Sequence, residues 1–247
     1  MISDYNQYDY SKEERIKYFI QGSLIGMIIG YLFYSNIIGT LMLMPYGFIY
    51  VKRKKEDLVK ERKWQLNLEF KDSLLSINSA LNAGYSIENA IKQASLDLKL
   101  MYNDDSLIVI EFDSMINQIN MNITIESILE DFARRTDIED IGMFSAVFST
   151  AKRTGGDLIK IIRNTSNSIG DKIEVKREIK TLIASKKFES KIMRIIPFII
   201  ILYLKFFSPG FLDPLYNNLI GIIIMSCLLI IYIFAYKISE NVMNIEV

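Results

Sequence analysis

Two long apolar runs bracket a charged middle. No Asp, Glu, Lys or Arg occurs from Tyr18 to Val51, and from Ile195 to Tyr236 only Lys205 and Asp213 carry charge. The stretch between, Lys52 to Arg194, holds 24 of the 29 Lys and Arg and 22 of the 29 Asp and Glu. The hydrocarbon core of a bilayer excludes charge, so uncharged runs of this length predict membrane-embedded ends around one water-soluble domain.

Tyr18 to Val51 would extend about 51 Å as one helix at about 1.5 Å per residue, against a hydrocarbon core about 30 Å thick. Two short helices, 18–34 and 37–51 with a turn at Ser35-Asn36, fit that thickness better. A single strongly tilted span is the other reading. Lys12, Arg15 and Lys17 precede the run and Lys52, Arg53, Lys54 and Lys55 follow it. Positive residues collect on the cytoplasmic side, and an even number of crossings satisfies both flanks. The C-terminal region repeats the pattern. Lys186, Lys187, Lys191 and Arg194 stand before a third span. The breaker cluster Ser208-Pro209-Gly210-Phe211-Leu212-Asp213-Pro214 reads as an outer loop extending over 208–217. A fourth span follows over about 219–236, and Lys237 marks the return. Lys205 falls near the outer end of the third span, where snorkelling to the headgroups accounts for it better than a functional charge. The expected topology is therefore a cytoplasmic N-terminus (1–17), two short spans (18–51), a cytoplasmic domain (52–194), two further spans (195–237) and a cytoplasmic tail (238–247). The acidic residues Asp4, Asp9, Glu13 and Glu14 argue against a signal peptide at the N-terminus.

The middle reads as an all-α bundle of six helices. Phe70, Leu74, Ile77 and Leu81 make one apolar stripe at helical spacing, and Gly84 suits the left-handed residue that closes it. Ser86 is a natural N-cap for a second helix with Ile87, Ile91, Ala94 and Leu98 on its buried face. Asp104-Asp105 opens a third through Leu107, Ile110 and Met115. Thr124 caps a fourth with Ile125, Ile128, Leu129 and Phe132. Asp137 or Asp140 starts a fifth with Ile141, Phe144 and Phe148, ended by Gly155-Gly156. Asp157 begins a long sixth through Leu158, Ile161, Ile162, Ile169, Ile173, Ile179, Leu182 and Ile183. Only Gly170 interrupts it, and no proline occurs before Pro197, so the sixth helix is expected to run straight into the third span.

Composition narrows the chemistry. The chain has no His, and its one Cys, Cys227, lies in an apolar run. This excludes a disulfide within the chain and a Cys/His metal site, and leaves little for acid–base or nucleophilic catalysis. The formal net charge is zero, so nucleic acid is not an expected partner. No glycine precedes a lysine, so there is no phosphate-binding loop of the GK[ST] type. No cofactor is expected. The acidic pairs Asp104-Asp105, Glu130-Asp131 and Glu139-Asp140 read as solvated faces and caps, since neighbours on a helix point about 100° apart. Trp64 fits an interfacial anchor and a bundle core equally well. Arg134-Arg135 and Lys152-Arg153 close the fourth and fifth helices. They compensate the helix dipoles there, and they could also dock an acidic partner protein. The bias toward Ile, Asn and Lys points to an AT-rich bacterial genome.

With these turns in place the chain resembles the type II secretion system F family, and within it the membrane platform subunits of tight-adherence (Tad/Flp) pilus systems. The resemblance rests on three segments and a set of turn residues. The first is Leu74…Leu81-Asn82-Ala83-Gly84-Tyr85-Ser86-Ile87-Glu88-Asn89-Ala90-Ile91. The second is Ile128-Leu129…Phe132-Ala133-Arg134-Arg135. The third is Phe144…Ala151-Lys152-Arg153-Thr154-Gly155-Gly156-Asp157-Leu158. Pro197, Pro209 and Gly221 fall where the family's last two spans carry such residues, and the likeness covers about 65–240. One departure is Asn120-Met121-Asn122, where the family often has a glycine; asparagine also takes left-handed geometry.

The resemblance implies a non-enzymatic platform in the cytoplasmic membrane. It would couple a cytoplasmic secretion ATPase to extraction and polymerisation of pilin-like subunits, beside a paralogous or identical platform subunit. Arg134, Arg135, Lys152 and Arg153 are the candidate docking residues. Gly84, Gly155, Gly156, Pro197 and Pro209 are the structural turns. A transporter or permease subunit, or a membrane scaffold unrelated to pili, is the competing reading, although the apolar runs offer polar cargo little beyond Gln21 and Lys205.

Overall fold

The computed structural model describes residues 4–154, 158–216 and 218–243 and contains no strand among them. Its helices are α1 (Lys12–Tyr34), α2 (Ile37–Met42), α3 (Tyr46–Asn82), α4 (Ile87–Met101), α5 (Leu107–Asn120), α6 (Ile125–Thr136), α7 (Glu139–Thr154), α8 (Leu158–Phe207), α9 (Asp213–Tyr216) and α10 (Leu219–Met243). The fold is all-α, with a helical bundle flanked on each side in sequence by an apolar helix. The expected Gly155-Gly156 stop and the Asp157 start lie outside the described residues.

Several boundaries differ from the expected ones for local reasons. The expected helix 37–51 is divided. Leu43–Pro45 form a turn after α2, because Pro45 offers no N–H and its ring suits a helix start better than an interior. The helix that starts at Tyr46 then runs on through the basic cluster to Asn82. Ser106, not Asp104-Asp105, opens α5, its hydroxyl accepting from the Val109 N–H at 3.4 Å. Neither Asp137 nor Asp140 caps α7: Asp137 closes α6 with φ +49°, and Asp140 lies within the first turn of α7. Ser86 does cap α4, accepting from the Asn89 N–H. Gly84 and Asn122 take the left-handed conformation, at φ +88° and +61°. α8 is one helix from Leu158 to Phe207 with Pro197 inside it.

The chain divides into two compact units, one of Met1–Tyr8 with Glu56–Lys176 and one of Asp9–Lys55 with Arg177–Val247. The first is the bundle. Phe70, Leu74, Ile77 and Leu81 of α3 are buried against Ile91, Ala94 and Leu98 of α4, Ile128, Leu129 and Phe132 of α6, and Ile141, Phe144 and Phe148 of α7. The Phe70 ring meets Phe132 and Phe144 edge-on, with centroids 6.2 and 5.8 Å away. Each such side chain contributes about 1.5–3 kcal/mol by leaving water. α5 buries Ile108, Val109, Phe112 and Met115, whereas Ile110, expected on that face, is exposed. α8 buries Ile162, Ile169 and Ile173; further on, Leu182 points to the outside.

The second unit is built the other way round. Its buried centre is small, Leu32, Phe33, Met225 and Leu229 beside Phe198 and Tyr216, and isoleucines are exposed along α1, α8 and α10. Two of its helices are long and apolar enough to cross a membrane, Lys12–Tyr34 and Leu219–Val242, and only 33% and 17% of their apolar windows are buried. A soluble protein does not leave apolar surface of that extent in water. Lipid fits it.

Lipid tails do not drive helices together, so packing and hydrogen bonds must join them. Gly22, Gly26 and Gly30 stand one every four residues on one face of α1, against α2, the Leu43–Pro45 turn and the start of α3. A Cβ at Gly26 would lie 2.3 Å from the Leu43 carbonyl oxygen, one at Gly22 2.5 Å from the Tyr50 Cβ, and one at Gly30 2.7 Å from the Gly39 carbonyl oxygen. Gly39 and Gly47 are closed off in the same way by Tyr34 and by Phe19 and Ser23. Hydroxyl bonds add to this. Tyr34 pairs with Ser226 at 2.9 Å, Tyr216 donates to the Leu32 carbonyl at 2.7 Å, and Tyr10 donates to the Val51 carbonyl at 3.1 Å. Pro197 cannot donate to the turn before it, and the Tyr232 hydroxyl bonds the Arg194 carbonyl in that turn at 3.0 Å.

Gly26→Val should lower the thermal midpoint of the detergent-solubilised protein by the equivalent of about 1–3 kcal/mol. Gly170→Ala, in α8 where an added Cβ would meet nothing within 4 Å, should leave it unchanged or raise it by about 0.5–1 kcal/mol. Equal responses would remove the close glycine contact as the cause.

Candidate functional site

The α6–α7 hairpin carries all four basic residues expected to dock a partner. Its two helices are joined by Asp137-Ile138 and run antiparallel, because Lys152 near the end of α7 pairs with Glu126 at the start of α6, Nζ to Oε2 2.8 Å. Arg134-Arg135 therefore stand at one end of the hairpin and Lys152-Arg153 at the other, eight helical residues or about 12 Å apart along the axis. The four do not form a single patch.

They also differ in availability. The Arg134 side chain is 76% exposed and held by Asp131 at 2.6 Å. Lys152 and Arg153 are exposed. The Arg135 side chain is only 12% exposed and turns into the bundle. Its guanidinium makes a two-pronged pair with Glu111 of α5 at 2.7 and 2.6 Å, and its Nε donates to Asp131 at 2.7 Å. The Glu111 carboxylate is 1% exposed and takes a third bond, at 2.7 Å, from the Tyr5 hydroxyl. Tyr5 is itself buried, its backbone N–H donates to the Arg135 carbonyl at 3.1 Å, and Arg62 stacks over its ring at 4.7 Å. Lys63 holds the next residue, Asn6, at 2.6 Å, and reaches Asp137 as well. The N-terminal segment is thus strapped onto the bundle through a buried carboxylate, and Arg135 is structural.

The electrostatics follow from this packing. Burial alone would weaken the Arg135 charge, but Glu111 and Asp131 outweigh it and raise its pKa. Burial, then the bond to Glu111, raises the Tyr5 phenol. At Asp131 and Glu126 burial pushes upward, and the bonds from Arg135 and Arg134, and from Lys152, win and lower the pKa.

A second cluster joins α3, α7 and α8. Lys172 lies 2.8 Å from Asp140 and 3.1 Å from Glu139, and Asn67 donates to Asp140 at 2.9 Å. The expectation of a solvated acidic pair fails at Asp140, which is 1% exposed. The two neighbours converge because one long lysine side chain from another helix reaches both. Glu69, also buried, accepts from the Ile108 N–H at 3.2 Å and so satisfies the first turn of α5 from α3. Trp64 is half-buried in the bundle unit.

In the apolar unit, Lys205 does more than snorkel. Its ammonium donates to the Ser35 hydroxyl at 3.0 Å and lies 3.6 Å from the centre of the Tyr31 ring. It thereby fastens α8 to the turn between α1 and α2. Ser35 is left-handed there, at φ +46°. Pro209 lies in the turn after α8, ahead of Gly210 at φ +88°. Sequence reasoning passed over the Gly22/Gly26/Gly30 repeat and Tyr5. The repeat was visible as small residues four apart; the role of Tyr5 had no local signal.

Exposed apolar helices in one unit and an ion-paired helical bundle in the other define the class as a membrane protein. The family model of Type II secretion system (T2SS), protein F matches residues 73–205, more than half of the chain, and the protein belongs to that family. The match begins within α3 and ends at Lys205 in α8. Members of the family are structural platform proteins of secretion machinery. No curated protein and no solved structure matches the chain.

Arg135→Met should cost about 3–5 kcal/mol in chemical denaturation, because the buried Glu111 loses its guanidinium partner. Arg134→Met should stay within about 0.5 kcal/mol, as exposed pairs do. Equal losses would refute the assignment of Arg135 to the core. Acid should also act in a defined window. Asp131 and Glu126 bind protons less readily folded than unfolded, so their contribution is complete above the ordinary carboxylate range, about pH 4. It disappears as pH falls through their lowered values. Denaturation midpoints measured from pH 6 to 2 should show that loss, and it should shrink in Asp131→Asn.

Proposed function

We propose that this protein is a platform subunit of the cytoplasmic membrane in a type II secretion or tight-adherence-type pilus assembly machine. In this reading it couples a cytoplasmic secretion ATPase to extraction and polymerisation of pilin-like subunits, beside a paralogous or identical platform subunit. The chain crosses the bilayer four times, at 18–34, 37–51, 195–207 and 219–236. Both termini and the bundle face the cytoplasm.

The observation that supports this best is the reach of the family match, which spans most of the bundle and nearly all of α8. α8 contributes to both compact units as one helix, and a continuous helix transmits displacement better than a loop does. Motion produced at the bundle by another protein's ATP hydrolysis would travel along α8 to the apolar helices that contact pilins. Among the candidate docking residues, Arg134, Lys152 and Arg153 are exposed and offer charge to an acidic surface, whereas Arg135 is engaged by Glu111. The basic flanks at Lys12–Lys17, Lys52–Lys55 and Lys186–Arg194 support a cytoplasmic bundle through the positive-inside bias.

Affinity capture of the intact protein from detergent extract should recover a secretion ATPase by mass spectrometry. Arg134→Glu, Lys152→Glu and Arg153→Glu combined should reduce that recovery several-fold; unchanged recovery would remove these residues from the docking surface. A Gly-Pro insertion after Ile179 should abolish fibre assembly while leaving membrane insertion intact. Normal fibres from that variant would defeat transmission through α8.

A further inference from the structure

One end of the apolar unit gathers lysines from three helices at a single level. That level is set by contacts inside the unit. Tyr10, just before α1, bonds Val51 of α3; Ser190 of α8 bonds Ser239 of α10 at 2.9 Å; Arg53 pairs with Glu240 at 3.4 Å; and Arg194 lies over the Tyr236 ring at 4.7 Å. Lys52, Lys54 and Lys55 of α3, Lys187 and Lys191 of α8, and Lys237 of α10 stand here. Among the described residues none of the six has an acidic group within ion-pair distance. Among the described residues Glu240 is engaged by Arg53, Glu189 by Lys186 at 2.9 Å, and Glu14 by the Ser11 N–H at 3.0 Å; Glu56 and Asp57 follow Lys55 on α3, and neither pairs with any of the six. The far end of the unit carries only Lys205 and Asp213.

We propose that this collar binds the phosphate headgroups of anionic phospholipid in the adjoining leaflet. The inference rests on the membrane placement of the apolar unit. Charge complementarity with depth is what selects lipid. On α3 and α10 the cations begin at the residue where the apolar run stops, Val51 to Lys52 and Tyr236 to Lys237, and on α8 they end at Arg194, one residue before Ile195. That is the depth of the headgroups, where a lysine stem lies along apolar surface and its ammonium reaches phosphate. Tyrosines mark the same boundary, Tyr18 with Tyr10 at 5.6 Å between ring centres and Tyr236 beneath Arg194.

The test is electron spin resonance of the full-length protein in phosphatidylcholine bilayers, with spin-labelled phosphatidylglycerol or phosphatidylcholine as the probe. Phosphatidylglycerol should associate about fivefold more strongly at low ionic strength, and the preference should fall toward about twofold in 0.5 M salt as the charges are screened. Lys52→Gln, Lys54→Gln, Lys55→Gln, Lys187→Gln and Lys191→Gln combined should abolish the preference, whereas Arg134→Gln in the bundle should preserve it. Equal association of both probes with the native protein, or a preference indifferent to salt, overturns the proposal without needing the variant. A protein that restricts neither probe would fail the membrane placement itself. A variant with an unchanged lipid profile that no longer captures an acidic protein partner would assign the collar to protein docking and overturn the lipid proposal.

Discussion

Backbone-to-backbone contact in an apolar solvent is the constraint on which the apolar unit depends. In water, burying isoleucine would fold these segments together; in lipid the same side chains gain nothing by leaving their neighbours. What remains is the fit between surfaces that lack side chains. Gly22, Gly26 and Gly30 let α1 approach the returning chain until a Cβ at any of them would collide with backbone or with a Cβ. The approach turns the chain back on itself, so that Val51 returns to the level of Tyr10. The positions of the basic clusters, and of the lysine collar with them, follow from that return.

The bundle obeys the opposite rule. Its core is ordinary hydrophobic burial, and its specificity lies in a few carboxylates removed from water. Glu111, Asp140 and Glu69 are each nearly inaccessible, and each finds a partner outside its own helix: Arg135 and Tyr5, Lys172 and Asn67, and the Ile108 N–H. A buried carboxylate without a partner is costly, so each of these pairs penalises any alternative packing of the helices that carry it. Members of the family are structural platform proteins.

Much of the architecture was legible in the chain itself. The helical stripes of α3, α4, α6 and α7 bury the residues whose spacing announced them, and Ser86 caps α4. α8 continues through Pro197 into the second apolar region, because nothing between Leu158 and Met193 breaks it strongly enough. The misreadings were local competitions between similar signals. Ser106 beside Asp104-Asp105 offered three caps within three residues. Asp137 could open one helix or close another, and its left-handed conformation chose the second. Pro45 divided a helix whose hydropathy alone looked continuous.

The candidate site was least legible, because it depends on which residues meet across the fold. The chain by itself determined the helical class, the separation of charged bundle from apolar ends, and the placement of cations at helix termini, since hydropathy, capping and charge are properties of neighbours in sequence. Only the tertiary structure decided that Arg134 and Arg135, adjacent in sequence, differ in role, one exposed and one clamped between Glu111 and Asp131. It alone joined Tyr5 to a carboxylate 106 residues away. It also set two basic clusters at opposite ends of one hairpin. Burial, partner and distance between remote residues are made by packing, and no local pattern encodes them.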